Sequence, residues 1–427
     1  MFAHVVSTLI GMQKPTPMML LVANHFTPET GGGAARARNL ARALRSIGFL
    51  VHVFASHPQY PYGVVQKGCG YWGVTEDRGI RVNRTPLPPL PYRGAFSRLL
   101  IFCSFVFFST LTCLRFRKEN EFQQCVIFAL NPPLFSTLVG LIMRRMNGGK
   151  LIVDIGDIWP DELDVLPGRF PRLIMMLSAR FANVIQSKAD VITVASSWLV
   201  LKLKPRFPNK TISLLPSGIP ESELGRIDRR ESKRKICHMI RKQSKSPLIV
   251  YAGSLGYAQP LKPLIMTAKR LQNVEFVICG SGELRQELRA FANKLQLQNV
   301  HFLEGLDRGN LELLLNAADL CILPHAPTRW APGALPVKFF EYLGANRAIL
   351  HYGARTEAAD YIMKNNVGLF VEGFDDAQIA TGIERIISGR LTMRIMERNI
   401  RVLNRMFDKA AMANLLSKMI RDTLVNW

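Results

Sequence analysis

Short apolar runs alternate with amphipathic helical patterns along this chain, and the alternation starts, lapses and starts again. Met18–Ala23 reads as a strand, Thr30–Gly33 as a tight loop, Ala34–Ile47 as a helix stopped by Gly48, and Leu50–Ala55 as the next strand. Further strands are expected at Gln124–Ala129, Lys150–Asp154 and Val191–Val194. Such a βα succession demands a mostly parallel sheet covered by helices on both faces. From Leu214 to Ser246 the pattern gives way to a polar connector. It resumes with strands at Pro247–Ala252, Val274–Cys279, Val300–Leu303, Leu320–Leu323 and Ala348–Tyr352, between helices at Leu261–Leu271, Leu284–Leu295 and Asn310–Ala317. The tail from Ala377 reads as helical and basic, and no short-period repeat is evident. The expected division is 18–215, 216–400 and a helical crossover at 401–427.

Bulk properties narrow the function. A chain of 427 residues exceeds one ordinary core, and 48% hydrophobic against 20% charged residues describes a folded protein. The formal charge of +23 suits an anionic partner, whether phosphorylated substrate, acidic lipid or nucleic acid. Nucleic acid is not expected, because no zinc-finger, basic-zipper or RNA-binding signature is present. Basic residues cluster at Arg226–Lys245 and again at Arg385–Arg405. Seven scattered cysteines, never in C-x-x-C, read as reduced thiols of a cytoplasmic protein, and the histidines show no metal-ligand spacing. Met1–Met12 lacks the basic start and cleavage site of a secretory leader. Leu99–Leu114 is apolar, with Arg93 and Arg98 before it and Arg115, Arg117 and Lys118 after. Slightly shorter than the roughly 17–25 residues of a span, it is expected to touch an anionic membrane surface from the N-terminal domain rather than cross.

Ligands of open α/β sheets bind beyond the carboxyl ends of the strands, and four features fall there. Gly31–Gly33 follow the first strand; Gly253 and Gly256 follow Val250–Ala252; Gly280, Gly282 and Glu283 follow Val277–Cys279; His325–Lys338 follow Cys321–Pro324. Glycine lets a ligand approach backbone N–H donors. Pro336 suits a helix start, whose free N–H groups and dipole favour an anion. Lys338 adds a positive charge, and Glu341, three residues on, can accept hydrogen bonds from vicinal hydroxyls. In the N-terminal half, Asp154, Asp157, Asp161 and Glu162 gather at a strand end. Asp157 is expected to orient an acceptor hydroxyl or stabilise positive charge on a sugar, and Asp161 to cap a helix.

Six stretches carry a family resemblance: NHFTPETGGGAARARNLARAL (24–44), PQYPYG (58–63), DIGDIWPDEL (154–163), YAGSLGYAQ (251–259), CGSGEL (279–284) and LPVKFFEYL (335–343). In their order and over most of the chain, they resemble the retaining family-four glycosyltransferases of the GT-B fold, nearest to bacterial enzymes of O-antigen, capsule and colanic-acid assembly. The resemblance implies two Rossmann-like domains facing a cleft, with a C-terminal helix returning to the N-terminal domain. A nucleoside-diphosphate sugar would bind the C-terminal domain through Gly253, Ser254, Gln259, Gly280, Gly282, Glu283, Gly333, Leu335 and Glu341. Glu341 would hold the ribose, and Gly32 and Gly33 would face the diphosphate from across the cleft. Asp157 and Lys338 are the expected catalytic residues. The acceptor implied is a polyprenyl-diphosphate-linked saccharide at the inner leaflet of the cytoplasmic membrane. No cofactor or metal is implied beyond the donor itself.

Two departures from the family pattern stand out. A Glu often found eight residues before the ribose Glu is here Gly333, and an Arg and Lys after the first strand of the second domain are replaced near Ser254 and Gln259. Lys338 is therefore expected to carry the leaving-group charge, with N–H groups around Gly333 standing in for the absent Glu. His325, Arg329 and Trp330 are candidates for choosing the sugar. A sugar-nucleotide epimerase of the same architecture and a non-catalytic sugar-nucleotide-binding or scaffold protein are the alternatives; membrane association and donor hydrolysis separate them from the leading reading.

Overall fold

The computed structural model describes residues 18–59, 72–90, 95–119, 125–158, 172–222, 228–242 and 246–424. The expectations for 1–12, 60–63 and 159–162 lie outside the described residues.

The first domain is built on strands β1 (Met18–Val22), β2 (Leu50–Ser56), β3 (Gly73–Asp77), β4 (Ile80–Thr85), β5 (Cys125–Asn131), β6 (Lys150–Ile155), β7 (Val191–Val194) and β8 (Thr211–Leu214). They form one sheet in the order β3-β4-β2-β1-β5-β6-β7-β8. Only β3 runs antiparallel, paired with β4 through the Arg78–Gly79 turn, where both residues have positive φ. Helices α1 (Gly32–Ser46), α2 (Ala95–Glu119), α3 (Leu134–Asn147), α4 (Arg172–Gln186) and α5 (Ser197–Leu203) connect the strands. The central strands are apolar on both faces, as a sheet sandwiched by helices requires.

The second domain opens with a helix where the sequence reads as a polar connector. Within the expected connector lies α6 (Arg229–Met239), capped by the Asp228 carboxylate, which accepts from Glu231 N–H. Its Ile236, with Ile240 just beyond, packs against Leu248 and Leu314 in the second core. Then come β9 (Leu248–Ala252), α7 (Lys262–Arg270), β10 (Glu275–Cys279), α8 (Arg285–Lys294), β11 (Val300–Leu303), α9 (Arg308–Ala317), β12 (Leu320–His325), α10 (Val337–Gly344), β13 (Ile349–Gly353), α11 (Glu357–Lys364), β14 (Gly368–Glu372), α12 (Asp376–Ser388) and α13 (Arg390–Asn404). The sheet order β11-β10-β9-β12-β13-β14 is the dinucleotide-fold order 3-2-1-4-5-6, all parallel. The two-domain fold is thus as expected from the sequence.

The last helix, α14 (Lys409–Leu424), leaves the second domain after Phe407. Its Met412, Leu416, Met419 and Ile420 join Ala37, Leu40, Ala41 and Leu44 of α1 in the first core. A polar clamp fixes the same region. Arg36 on α1 donates to both oxygens of Asp154 at the end of β6, each at 2.6 Å, to Ser217 Oγ at 3.0 Å and to the Leu215 carbonyl at 2.9 Å. Asp154 is 1% exposed, and Thr193 Oγ1 donates to it at 2.7 Å. Removing the guanidinium strands a buried carboxylate. Arg36→Met should therefore lower unfolding free energy by about 3–5 kcal/mol, measured by urea denaturation.

Candidate active site

The site forms where the second sheet forks. β9 and β12 pair only at Ile249–Leu320 and Val250–Cys321, whereas β12 stays paired with β13 as far as His325–Gly353. This fork is the topological switch point, where the strand order reverses and ligands bind. Tyr342 of α10 fills its base. Ala252 N–H donates to the Tyr342 hydroxyl at 3.1 Å, and that hydroxyl donates back to the Ala252 carbonyl at 3.3 Å. Backbone groups left by the missing strand pairing are thereby satisfied.

One turn earlier on α10, Lys338 projects from the same face. Its Nζ donates to the Tyr251 hydroxyl at 2.9 Å and sits 4.7 Å from the centre of that ring. The Tyr251 hydroxyl in turn donates to the Ser254 carbonyl at 2.5 Å. Burial pushes the amine down to about 8, against the opposing pull of Glu341. Burial also holds the Tyr251 phenol well above its ordinary value, so it remains a donor. At neutral pH, Lys338 is a mostly charged amine that its surroundings solvate poorly. The unfolded chain keeps this proton to about pH 10.5 and the folded chain releases it near 8. The cost of burying the charge is therefore full below pH 8 and fades as pH rises between those values.

The glycine loops are shaped around this amine. A Cβ on Gly253, at φ +151°, would lie 2.6 Å from Lys338 Cε and 2.7 Å from its Nζ. A Cβ on Gly280, at φ +144°, would lie 1.9 Å from the Gly253 carbonyl oxygen. Gly253 N–H donates to the Cys279 carbonyl and Leu255 N–H to the Ser281 carbonyl, each at 2.9 Å, so the loops after β9 and β10 interlock. A Cβ on Gly282, at φ +155°, would lie 2.4 Å from the Leu255 carbonyl oxygen. Ser254 is exposed at the rim, and Gln259 N–H closes a turn to the Gly256 carbonyl at 3.1 Å. Glu283 is exposed and lies 3.9 Å from Arg98 of α2.

Gly32 and Gly33 are exposed and form the first helical residues of α1 rather than a loop. Just before them, Thr30 meets the second domain: a Cβ on Gly305 would lie 3.8 Å from Thr30 Oγ1. Asp157 is half-buried beyond β6; burial raises its carboxyl above the ordinary range, with Arg36 opposing the rise.

Glu341 carries a partner that the sequence did not announce. Arg308 donates to Glu341 at 2.8 Å and to Glu312 at 2.9 Å, and Ser222 donates to Glu312 at 2.8 Å. His325 packs edge-on to Trp330, 5.4 Å between ring centres. Its Nδ1 donates to the Ala326 carbonyl at 2.8 Å. Burial, and more weakly Lys338, hold this imidazole below its ordinary value, so it is neutral at pH 7.

Leu335 is buried in the second core. One expectation needs correction. The N–H groups of Gly333 and Ala334 do not replace an absent Glu; they donate to the carbonyls of Trp330 and Ala331 at 3.0 and 2.9 Å. Trp198 of α5 covers Gly333, 2.4 Å from where a Cβ would stand. Beside it, the Glu357 carboxylate of α11 accepts from Ser197 and Trp198 N–H at 2.9 and 3.0 Å, capping a first-domain helix from the second domain. Neither Trp198 nor Glu357 carries a local sequence signal for this contact.

Residues 31–218 match the family model described as glycosyl transferase 4-like domain, and residues 232–402 match that described as glycosyl transferases group 1. No curated protein matches the sequence. Among solved structures, sucrose-phosphate synthase from Thermosynechococcus elongatus superposes with a TM-score of 0.73 at 16% identity, covering 96% of this chain and 100% of that one. WaaG, a glycosyltransferase involved in lipopolysaccharide biosynthesis, gives 0.65 at 16% identity over 94% and 99%. The Anabaena protein HepE, in complex with UDP-glucose, gives 0.65 at 14% identity over 95% and 100%. These likenesses describe the fold. With both halves matched in sequence and the two parallel domains in place, the chain belongs to the GT-B glycosyltransferases of the family-4-like, group 1 type.

Proposed function

We propose that the protein transfers a sugar, with retention of anomeric configuration, from a nucleoside-diphosphate sugar to a polyprenyl-diphosphate-linked saccharide in bacterial surface-polysaccharide assembly. The observation that carries this reading is the Lys338 amine, seated at the fork of the second sheet beneath Gly253 and one turn before Tyr342. A cation in a poorly solvated seat at a helix start is suited to a diphosphate. Glu341, held by Arg308, offers its second carboxylate oxygen to ribose hydroxyls. Transfer breaks the bond from the anomeric carbon to the terminal phosphate oxygen and forms one to the acceptor oxygen. Charge collects on the leaving diphosphate, and Lys338 neutralises it together with the free N–H groups of the α10 start. Asp157, on the opposite wall, orients the acceptor hydroxyl.

The membrane-linked acceptor is supported by α2. Phe96–Arg117 is long and apolar enough to cross a membrane by length and composition alone. Ile101, Phe105, Ser109, Cys113 and Phe116 are buried in the first domain, while Phe96, Leu99, Leu100, Phe107 and Leu114 are exposed. Leaving the sheet to span would uncover the buried stripe, so α2 rests its outer face on the bilayer and keeps its inner face on the sheet, as a peripheral protein of the inner leaflet does.

Lys338→Met should cut turnover by about 10²-fold or more with thermal stability unchanged or raised; near-parental turnover removes the role. Nucleoside-diphosphate affinity should weaken as pH rises through about 8, where the free amine loses its proton, and Lys338→Met should abolish that dependence. Product anomers read by NMR after incubation with nucleotide sugars and a lipid-linked acceptor test retention; inverted product, or epimerised donor without transfer, overturns the reading.

A further inference from the structure

Helix α13 presents a second surface that neither the cleft nor α2 explains. Its Met396, Ile400 and Leu403, with Phe407 beyond its end, face inward and are buried. Arg394, Arg398, Arg401 and Arg405 are exposed, and so are Ile395, Val402 and Met406 at 49%, 60% and 56%. Within the helix, at about 100° per residue, Arg394, Arg398 and Arg401 fall within about 60° of arc, with Ile395 and Val402 within about 20° beside them; Arg405 and Met406 follow in the turn after Asn404. Two rows, one cationic and one apolar, thus run about 12 Å along the helix. Among the described residues, no side chain pairs with any of the four arginines. The acid of this helix, Glu397, is turned away toward Arg229, 3.8 Å distant.

Unpaired guanidinium groups in a row have lost nothing to a neighbouring acid, and each can engage a phosphate with two N–H groups. Three large apolar side chains at half exposure beside them carry a standing cost in water. A bilayer with anionic headgroups meets both rows at once, because phosphates and acyl chains lie side by side all along its interface and no shaped groove is needed. The basic character of the whole chain adds the long-range attraction. We infer that the outer face of α13 docks on an anionic lipid surface, giving the second domain its own membrane contact, independent of α2.

The test uses the full chain and sedimenting vesicles of phosphatidylcholine, with or without phosphatidylglycerol. Arg394→Gln, Arg398→Gln, Arg401→Gln and Arg405→Gln combined should reduce partition onto phosphatidylglycerol vesicles by about 30-fold or more. Partition onto pure phosphatidylcholine, which reports α2, should not change. Ile395→Ser, Val402→Ser and Met406→Ser combined should also weaken binding to phosphatidylglycerol vesicles, by about 10-fold, with thermal melting as in the parent. If the arginine variant binds anionic vesicles as the parent does, the stripe serves an acidic protein instead and the inference falls. If the apolar variant binds them as the parent does, the contact is electrostatic adsorption alone, and the interfacial seat is wrong.

Discussion

A single guanidinium organises the meeting of the two domains. Arg36 lies on the first helix of the first domain, Asp154 at the end of its fifth parallel strand, and Leu215 and Ser217 on the chain leading into the second domain. Three segments distant in sequence converge on one planar fork whose donors match a carboxylate on one edge and backbone on another. The pair is nearly dry, and such a pair adds little stability by itself. What it adds is geometry: the end of β6, from which Asp157 follows, is fixed relative to the start of α1, where Gly32 and Gly33 stand.

The second domain uses the opposite strategy. Among the described residues, Lys338 has no carboxylate in hydrogen-bond contact; the hydroxyl and ring face of Tyr251 lie beside it. Its charge is stabilised less than water would stabilise it, and the deficit is what an incoming anion can make good. The interlocked glycines keep the seat open, because any side chain at Gly253 would displace the amine. Glu341 is three positions nearer the helix end and is already occupied on one side by Arg308. That arrangement holds the carboxylate still without consuming both oxygens.

Much of this was legible in the sequence, because parallel strands and their terminal glycines leave local marks. The strand positions, the glycine loops and the pairing of Lys338 with Glu341 on one helix follow from periodicity and spacing. What escaped did so for physical reasons. α6 reads as polar because only one face of a very basic segment meets the core, through Ile236 and Ile240. The β3–β4 hairpin sits at a sheet edge, where alternation is weak and the Arg78–Gly79 turn is the main signal. Gly33 marked the right place but not the right structure, since α1 begins at Gly32. Arg308, Trp198 and Glu357 act through partners 33 to 160 residues away, and no window of sequence contains such a pair.

The cap that Glu357 places on α5 bears on how the lobes separate. Its partners are two amide hydrogens at the end of a short helix, and all three groups lie near the surface. On parting, water would solvate the carboxylate and the amides almost as well as they solvate each other. The indole lifting from Gly333 would expose only one aromatic edge. The latch therefore fixes the register of the two lobes while adding only a small margin of stability to their contact.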